Sequence, residues 1–266
     1  MITTTKRIPV THANSGFRRF KTEVHHPVRE AEAKNQSYLE RARKTREMLR
    51  GMTVKQLLEL IELRPSLDFF EALGLAKQGY LVIPNDIYNK ILTETEDKTV
   101  IMQLYRNWKW TGTLVIYEWQ DKPFGEKVFC TFKDYSELVY SISFQIPEQF
   151  RGMKNCALAL EHPDFEAIAL GENRYEIKSA EGANITLIEN FPEENYYYAP
   201  HPETKIPQGE KVIKSDAAMY LFRSNPAYIG FLVRDVNFGG LGGGLAVIAD
   251  FKACCTFGVA VVPLIR

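Results

Sequence analysis

The stretch IKSDAAMYLFRSNPAYIGFLVRDVNFGGLGGGLAVIADFKACCTFGVAVVPLIR, residues 213–266, carries the strongest signal in this chain of 266 residues. Its last 47 residues, 220–266, contain no Glu, Gln, Met or Trp and a single Lys, Lys252. Those five residue types number 59 in the whole chain, so an average segment of this length would hold about ten. The segment also holds 7 of the 17 glycines. A bias confined to one segment indicates a local cause.

This stretch fits neither a plain pair of core strands nor a linker. Core strands would not combine so many glycines with Asn225 and the adjacent Cys254 and Cys255. A linker would not carry large apolar side chains such as Phe222 and Ile229, which favour burial. The mixture indicates fixed apolar positions interleaved with positions that accept many residue types.

The order of three motifs resembles a known family, the C-type-lectin-fold variable proteins of diversity-generating retroelements, of the archaeal and uncultivated-bacterial type. The motifs are YLFRS (220–224), YIGFLVRD (228–235) and FGVAVVP (257–263). The earlier stretches LALEHPDFE, ITLIENFPEENYYY and IPQGEKV are similar to the same relatives, so the resemblance covers about residues 155–266. It implies an α+β chain with a C-type lectin fold, in which small antiparallel sheets and helices hold long irregular loops.

The resemblance also implies a cause for the missing residue types. In that family a reverse-transcriptase element rewrites adenines of AAY-type codons in a C-terminal variable region, here about residues 216–262. The resulting codons end in a pyrimidine and never encode Lys, Glu, Gln, Met or Trp. Lys252 would then mark an undiversified position. The alternative cause is chance combined with burial, since burial removes Lys, Glu and Gln together.

By this resemblance the protein is a non-enzymatic ligand-binding and display protein without cofactor or metal. Phe257, Gly258, Val259 and Pro263 are expected to hold the scaffold. The Arg-Pro that is usual near the end of the family is replaced by Ala260-Val261-Val262-Pro263, which leaves the register of the variable positions open. The positions expected to face a ligand are Ser224, Asn225, Tyr228, Phe231, Asn237, Phe238, Gly239, Gly240, Leu241, Gly243, Leu245, Cys254 and Cys255.

Two other classes of protein stay open. A formylglycine-generating type of enzyme on the same fold uses paired reactive thiols, and Cys254 and Cys255 are adjacent rather than spaced, which argues against it. A structural or assembly protein would dock through the basic first 50 residues. The glycine-rich run 239–244 lacks the Lys-Ser/Thr of a phosphate loop. Its pattern also does not match a dinucleotide site, which needs the start of a helix and an acidic residue about 20 positions on.

Aromatic and histidine residues outside the C-terminal segment have two interpretations each. Trp108 and Trp110 alternate along a predicted strand and suit a core better than a sugar-stacking platform. The run Tyr196–Tyr198 would either cover its own loop or face a ligand. His162 and His201 stand apart from any nucleophile and are expected to be structural or solvated.

Charge divides the chain at residue 50. Residues 1–50 carry 12 Lys/Arg against 5 Asp/Glu, and residues 51–266 carry 21 against 28. We therefore predict a basic arm and charged helix over 1–50 and a lectin-like domain over 51–266. The basic part could contact nucleic acid, a membrane surface or the acidic remainder of its own chain.

The expected partner is an unidentified ligand, a protein or another macromolecule, and the oligomeric state is open. No basic stripe follows residue 50, so we expect no nucleic acid at the C-terminal surface. No apolar run reaches membrane-spanning length, and the N-terminal residues lack the apolar core of a secretory signal. Four cysteines without framework spacing favour free thiols in a reducing compartment.

Local patterns predict the elements. A helix is expected from Pro27 to Arg50, a capping box at Thr53 and Gln56, another helix opened by Pro65 and Ser66, and a helix capped by Asn85 or Asp86. The helix from Pro27 carries a seam that suits docking on a partner or on this fold, made of Ala31, Asn35, Tyr38, Ala42, Thr45 and Leu49. The chain is expected to be β-rich after Lys98, with a turn at Thr111-Gly112. The predicted strands are YLVIP, TVIMQLYRNWKW, TLVIYEW, KVFCTF, LVYSISFQI, CALALEH, RYEIK and ITLIENF.

Overall fold

The architecture follows from a computed structural model of the chain. It describes residues 27–65, 67, 69–105, 109–119, 121–133, 137–215, 218–223, 228–235, 244–247 and 258–265. The fold is α+β, because helices fill most of the first part of the described chain and strands most of the remainder.

The helices support one flank of the fold. They are α1 (Pro27–Gly51), α2 (Val54–Leu60), α3 (Phe69–Gly74), α4 (Asn85–Glu94) and α5 (Lys98–Tyr105), with short 3₁₀ helices at Leu75–Gln78 and Glu148–Phe150. The predicted capping box is confirmed at the start of α2, where Gln56 Oε1 accepts a hydrogen bond from the Thr53 backbone N–H at 2.9 Å. Such a box satisfies N–H groups that the first helical turn leaves without partners.

The strands form two sheets. They are β1 (Glu62–Pro65), β2 (Tyr80–Val82), β3 (Lys109–Tyr117), β4 (Lys127–Lys133), β5 (Val139–Gln145), β6 (Cys156–Glu161), β7 (Phe165–Gly171), β8 (Arg174–Ser179), β9 (Thr186–Glu189), β10 (Tyr197–Pro200), β11 (Pro207–Lys211), β12 (Met219–Arg223), β13 (Tyr228–Asp235), β14 (Gly244–Val247) and β15 (Gly258–Pro263). Strand predictions at 80–84, 127–132, 138–146, 156–162, 174–178 and 185–191 are confirmed as β2, β4, β5, β6, β8 and β9.

The larger sheet contains strands from both ends of the described chain. Its order is β1-β15-β3-β13-β14-β12-β10-β11, with β2 also on β15, β6 on β3 and β9 on β6. The smaller sheet has the order β4-β5-β8-β7. Because β15 pairs antiparallel with β1 and β2 and parallel with β3, the last strand is held by residues from the first half of the chain.

The core is centred on β3, whose nine residues are all buried. Trp110, Leu114 and Tyr117 of this strand belong to the main apolar cluster. Trp110 is fully buried and its Nε1 donates to the Leu67 carbonyl at 3.0 Å, so its assignment to the core is confirmed. Trp108 lies outside the described residues.

The predicted turn at Thr111-Gly112 is wrong, because both residues lie within β3. Glycine is required there by close packing rather than by a turn: a Cβ at Gly112 would stand 2.2 Å from the Val82 carbonyl oxygen. Its N–H donates to Ile83 O at 2.7 Å, and its carbonyl accepts from the His162 N–H at 2.6 Å. Gly112 thus joins β3 to the segments on either side.

Three further local predictions are corrected. The helix predicted to open at Pro65 and Ser66 begins instead at Phe69, as α3, and Pro65 ends strand β1. Residues 98–105 form α5 instead of a strand, since a capping residue precedes them: Asp97 Oδ1 accepts from the Thr99 N–H at 2.8 Å. Helix α4 begins after Pro84 without a side-chain cap. The Asn85 side chain donates instead to Thr204 O at 2.6 Å.

The second half of α1 docks on the chain's own fold. Ala42, Thr45 and Leu49, three members of the predicted seam, are fully buried. Ala42 and Leu49 belong to a second apolar cluster that also contains Leu81, Tyr88 and Val262. The side chains of Ala31 and Asn35 lie outside the described set. Residues 42–49 are therefore part of the packed structure.

Candidate functional site

The C-terminal strands frame three intervals that contain most of the positions predicted to face a ligand. Ser224 and Asn225 fall between β12 and β13, and Cys254 and Cys255 fall between β14 and β15. Asn237, Phe238, Gly239, Gly240, Leu241 and Gly243 fall between β13 and β14. These ten positions lie outside the described residues.

The other three predicted positions lie inside strands of the larger sheet. Tyr228 pairs with Tyr117, Phe231 with Leu114, and Leu245 with Leu221. The side chains of all three partners are buried. Tyr228, Phe231 and Leu245 thus occupy register positions beside the core, and their display stays a prediction.

One end of the larger sheet brings the borders of these intervals together. Asp235 at the end of β13 pairs with Gly244 at the start of β14. Arg234 and Gly258 both pair with Lys109, the first residue of β3. The interval 236–243 therefore begins and ends at the same end of the strands at which β15 begins.

The predicted scaffold residues divide between buried and exposed positions. Val259 is fully buried in β15, and Gly258 begins that strand. Pro263 ends the strand and its side chain is exposed. Phe257 lies outside the described residues. Val259 packs in the main apolar cluster, while Val262 of the same strand packs in the cluster that holds α1.

A polar cleft of about 580 Å³ opens on the helical flank. The term "polar cleft" is used below for the space between the end of α1, the outer face of α4, the end of β6 and the loop 202–205. Charged side chains line its floor, among them Arg46, Arg50, Asp86 and Glu161. Clefts of this volume with convergent polar groups are the usual form of small-molecule sites, so the bonds of these groups decide its role.

The four charged residues of the floor belong to an arginine–carboxylate cluster that continues beneath it. Its members are Arg43, Arg46 and Arg50 of α1 with Asp86, Glu161 and Asp164. Arg46 Nη2 lies 2.9 Å from Asp164 Oδ2, and Arg43 Nε lies 2.8 Å from Oδ1 of the same carboxylate. Arg50 Nη2 lies 2.7 and 2.8 Å from the two oxygens of Glu161. Arg46 Nε is 3.0 Å from Glu161 and Arg50 Nε is 2.8 Å from Asp86.

The ionisation of this cluster follows from burial and neighbouring charge. Burial and the nearby Asp86 carboxylate raise the pKa of Glu161 to about 6, against the opposing effect of Arg46 and Arg50. Burial alone would lower the pKa of Arg50, but Glu161 and Asp86 outweigh it and raise that pKa above its ordinary value. Arg50 therefore stays charged, while Glu161 titrates in the mildly acidic range.

The bonds of the cluster are directed inward, toward the protein itself. Each of the three carboxylates accepts from at least one arginine of α1, and Lys90 donates to the carbonyls of Arg50 and Met52 at 3.1 and 2.6 Å. These contacts fasten the end of α1 to α4 and to the turn after β6. The cluster acts structurally: Arg43, Arg46 and Arg50 contact carboxylates of the acidic remainder of the chain. What the basic residues before Pro27 contact stays open, since they lie outside the described residues.

Sequence reasoning did not identify this cluster. Glu161 and Asp164 flank His162 and Pro163 in the stretch LALEHPDFE, where nothing in the local sequence marks either carboxylate as an arginine partner. The available signal was the net positive charge of residues 1–50 opposite a net negative remainder. That balance predicts ion pairing in general. The partners themselves depend on the tertiary fold, because Arg50 and Asp86 are 36 residues apart in sequence and the pairs with Glu161 and Asp164 more than 100.

The two histidines have structural contacts. His162 is buried, its Nδ1 accepts from the Val82 N–H at 3.3 Å, and its ring meets Phe165 edge-on at 6.2 Å. His201 Nδ1 accepts from the backbone N–H groups of Glu203 and Thr204 at 3.3 and 3.4 Å, which shapes the loop beside the polar cleft.

Cys130 and Cys156 are free, buried thiols. Burial raises the pKa of each to about 11, so neither supplies a thiolate near neutral pH. Within the described ranges, no three side chains of His, Cys, Asp or Glu converge as metal ligands do. Cys254 and Cys255 lie outside those ranges.

Comparison of the chain with protein-family models, with curated proteins and with solved structures finds no match. In the portion of the chain that the structure describes, no helix is both long and apolar enough to cross a membrane.

Proposed function

We propose that this chain is a non-enzymatic ligand-binding protein with a C-type lectin fold, whose C-terminal surface is diversified by a retroelement. The observation that carries the proposal is the absence of Glu, Gln, Met and Trp, with a single Lys, from residues 220–266. Codons that end in a pyrimidine encode none of these five residue types. One mechanism acting on the gene therefore accounts for all five deficits.

Burial alone accounts for the deficit less well. Burial disfavours Lys, Glu and Gln, but it favours Met and accepts Trp. Met and Trp are absent from the segment all the same, although Met219 is buried in β12 one residue before it begins. A codon rule removes the apolar and the charged members of the set together.

The arrangement of strands supports the separation of scaffold from display. Ten of the thirteen predicted positions fall between strands, and β12 to β15 are tied to the rest of the sheet through β3, β10, β1 and β2. A diversified segment needs this support, because substitutions in connections cost little stability when the flanking strands are held by other parts of the chain. Affinity then comes from a few side chains on a rigid base.

The alternative of a thiol enzyme receives no support from the described cysteines. Cys130 and Cys156 are buried and have raised pKa values, and each lies on a different sheet, in β4 and β6. The alternative of an assembly protein that docks through α1 is weakened where α1 is described, since Ala42, Thr45 and Leu49 are buried in the chain's own core.

A pair of libraries tests the proposal at the level of the protein. One library places pyrimidine-ending codons at Asn237, Phe238, Gly239, Gly240 and Leu241, and the control library places them at Val259, Ala260 and Val261. We expect most members of the first library to fold and some to bind members of a fixed panel of purified proteins, whereas the control library loses folded protein. Equal loss of folding in both libraries would contradict the proposal, as would a first library that binds nothing.

A further inference from the structure

A cluster of tyrosines and lysines lies beside the C-terminal strands, and the name "tyrosine patch" is used for Tyr196, Tyr197, Tyr220, Lys211 and Lys214. The Tyr197 and Tyr220 rings meet edge-on with centroids 5.0 Å apart, and those of Tyr196 and Tyr197 at 6.0 Å. Tyr197 and Tyr220 are direct cross-strand partners on β10 and β12. The sheet fixes Tyr197 and Tyr220, while Tyr196 and Lys214 lie just outside its strands.

The tyrosine patch lies on the outer surface. The neighbours of its members along the same strands, Tyr198, Met219 and Leu221, are buried, and side chains alternate between faces along a strand. Tyr196 is 44% exposed and the neighbouring Ile213 is 89% exposed. Exposed aromatic and aliphatic side chains that are held rigidly are typical of protein-binding surfaces.

The patch is continuous with the segment proposed to vary. Tyr220 is the register partner of Gly244 on β14, and Gly244 in turn pairs with Asp235 at the border of the interval 236–243. Tyr196, Tyr197, Lys211 and Lys214 precede residue 216, so they lie outside the region expected to diversify. A ligand on the variable positions would therefore meet a constant surface beside them.

The lysines define the chemistry of that surface. Lys211 Nζ lies 5.5 Å from the centre of the Tyr196 ring, and Lys214 Nζ lies 5.6 Å from that of Tyr197. Lys211 is also paired with Glu194, whereas Lys214 forms no ion pair with any residue that the structure describes. These cations occupy the ring faces on which a sugar would stack, which argues against a sugar ligand. The charge of Lys214 is available for an anion of a ligand.

We infer that the constant members of the tyrosine patch, Tyr196, Tyr197, Lys211 and Lys214, form a docking surface for a segment of a protein ligand that carries one carboxylate among apolar side chains. The carboxylate would lie on Lys214 and the apolar side chains against Ile213 and the ring edges. This inference rests on the proposed function, since it describes the undiversified part of the same binding surface. The surface suits one carboxylate and not a polyanion such as nucleic acid, because Glu193, Glu194 and Glu210 are exposed in the same part of the chain and repel further negative charge.

A fluorescein-labelled peptide with a single Glu among Leu and Ser residues tests the inference by fluorescence anisotropy. The matched peptide carries Gln in place of Glu, and oligothymidylate serves as the polyanion. We expect the acidic peptide to bind and Lys214→Gln and Tyr197→Ser each to raise its Kd about tenfold, the effect of an interface hot spot. Lys154→Gln and Phe129→Ser, which change an exposed lysine and an exposed phenylalanine elsewhere, are the controls and should leave Kd unchanged.

Three results would overturn the inference: equal binding of the Gln peptide, equal binding of oligothymidylate, or unchanged affinity in both patch variants. Lys214→Gln lies outside any strand, so it keeps the test valid if Tyr197→Ser fails to fold. A variant with Gly-Ser sequence at 237–243 separates this inference from the proposed function. If that variant loses the peptide while the patch variants keep it, the docking inference fails and the proposed display surface stands.

Discussion

Arg46 of α1 and Asp164 of the turn after β6 meet inside the protein, with Nη2 and Oδ2 2.9 Å apart and the Asp164 side chain 1% exposed. The pair joins the basic front of the chain to its acidic remainder. Because both side chains are buried, each charge needs an opposite charge nearby to offset the free energy lost with its hydration. The same helix also meets the chain just after β15, because Thr45 Oγ1 accepts from the Ile265 N–H at 3.1 Å. The domain that supports the C-terminal strands is thus held partly by these ion pairs.

Removing Arg46 should destabilise the whole domain. Arg46→Ala leaves Asp164 and Glu161 without one of their cations, and breaking a buried pair from one side costs about 3–5 kcal/mol. Chemical denaturation measures the loss. The control is Lys44→Ala on the same helix, whose side chain is exposed and which should change stability by less than about 0.5 kcal/mol. Similar losses in both variants would show that the cluster carries no special stability.

Truncation tests the boundary between the first 50 residues and the remainder. Deletion of residues 1–50 removes Ala42 and Leu49 from the second apolar cluster together with all three arginines of the ion cluster. We expect a protein that fails to fold or melts far below the full chain. Deletion of residues 1–26 keeps every one of these contacts and should retain the melting temperature. A stable, monomeric 51–266 fragment would contradict this account of α1.

Gly112→Ala should be strongly destabilising, by about 3 kcal/mol or more, since backbone cannot move aside as a side chain can. The added Cβ would stand 2.2 Å from Val82 O, between two strands that both pair elsewhere. Thermal unfolding measures the effect. Gly125→Ala is the matched control, because no atom lies within 4 Å of its Cβ position. A melting temperature unchanged in Gly112→Ala would refute the close approach.

The contribution of Glu161 to stability should fall as pH rises. Its pKa is raised from 4.5 to about 6 in the folded state, so the folded protein holds this proton more tightly than the unfolded chain does. The contribution is greatest below pH 4.5 and declines through pH 6, by about 2 kcal/mol in all. The free energy of unfolding is measured across this pH range for the wild type and for Glu161→Gln. The difference between the two isolates the contribution of Glu161. A difference that rises with pH would contradict the assignment.

The buried thiols should be inert until the protein unfolds. In a variant with Cys254→Ser and Cys255→Ser, only Cys130 and Cys156 remain, both buried and with pKa values of about 11. We expect no reaction with a thiol reagent at pH 8 in the native state and two equivalents after denaturation. Rapid reaction of the native variant would return the thiol enzyme to consideration.

Sequence patterns predicted elements where local chemistry determines them. Thr53 and Gln56 specify a cap by their own side chains, and the alternation in LVYSISFQI specifies a strand with two faces. The turn predicted at Gly112 is wrong because glycine is required there by the neighbouring Val82 carbonyl. Only the tertiary fold brings that carbonyl close to Gly112. The strand predicted for residues 98–105 is wrong because β-branched and aromatic residues also occur in helices, and this segment forms α5.

The candidate sites also differ in whether a local sequence pattern could predict them. Tyr196–Tyr198 were noted in the sequence as facing a loop or a ligand, and the alternation of β10 separates them into the buried Tyr198 and the outer Tyr197. The pairing of Arg46 with Asp164, 118 residues apart, has no local signature. A single sequence reveals that opposite charges exist, but only the tertiary structure brings particular ones together.

The measurement that tests the central claim most directly is sequencing of this gene in many copies from one population, with a search of the flanking DNA for a near-copy template and a reverse transcriptase. We expect substitutions concentrated at AAY-derived codons after residue 215, with β1 to β11 unchanged and Lys252 constant. Substitutions spread evenly along the gene, with no template nearby, would contradict it.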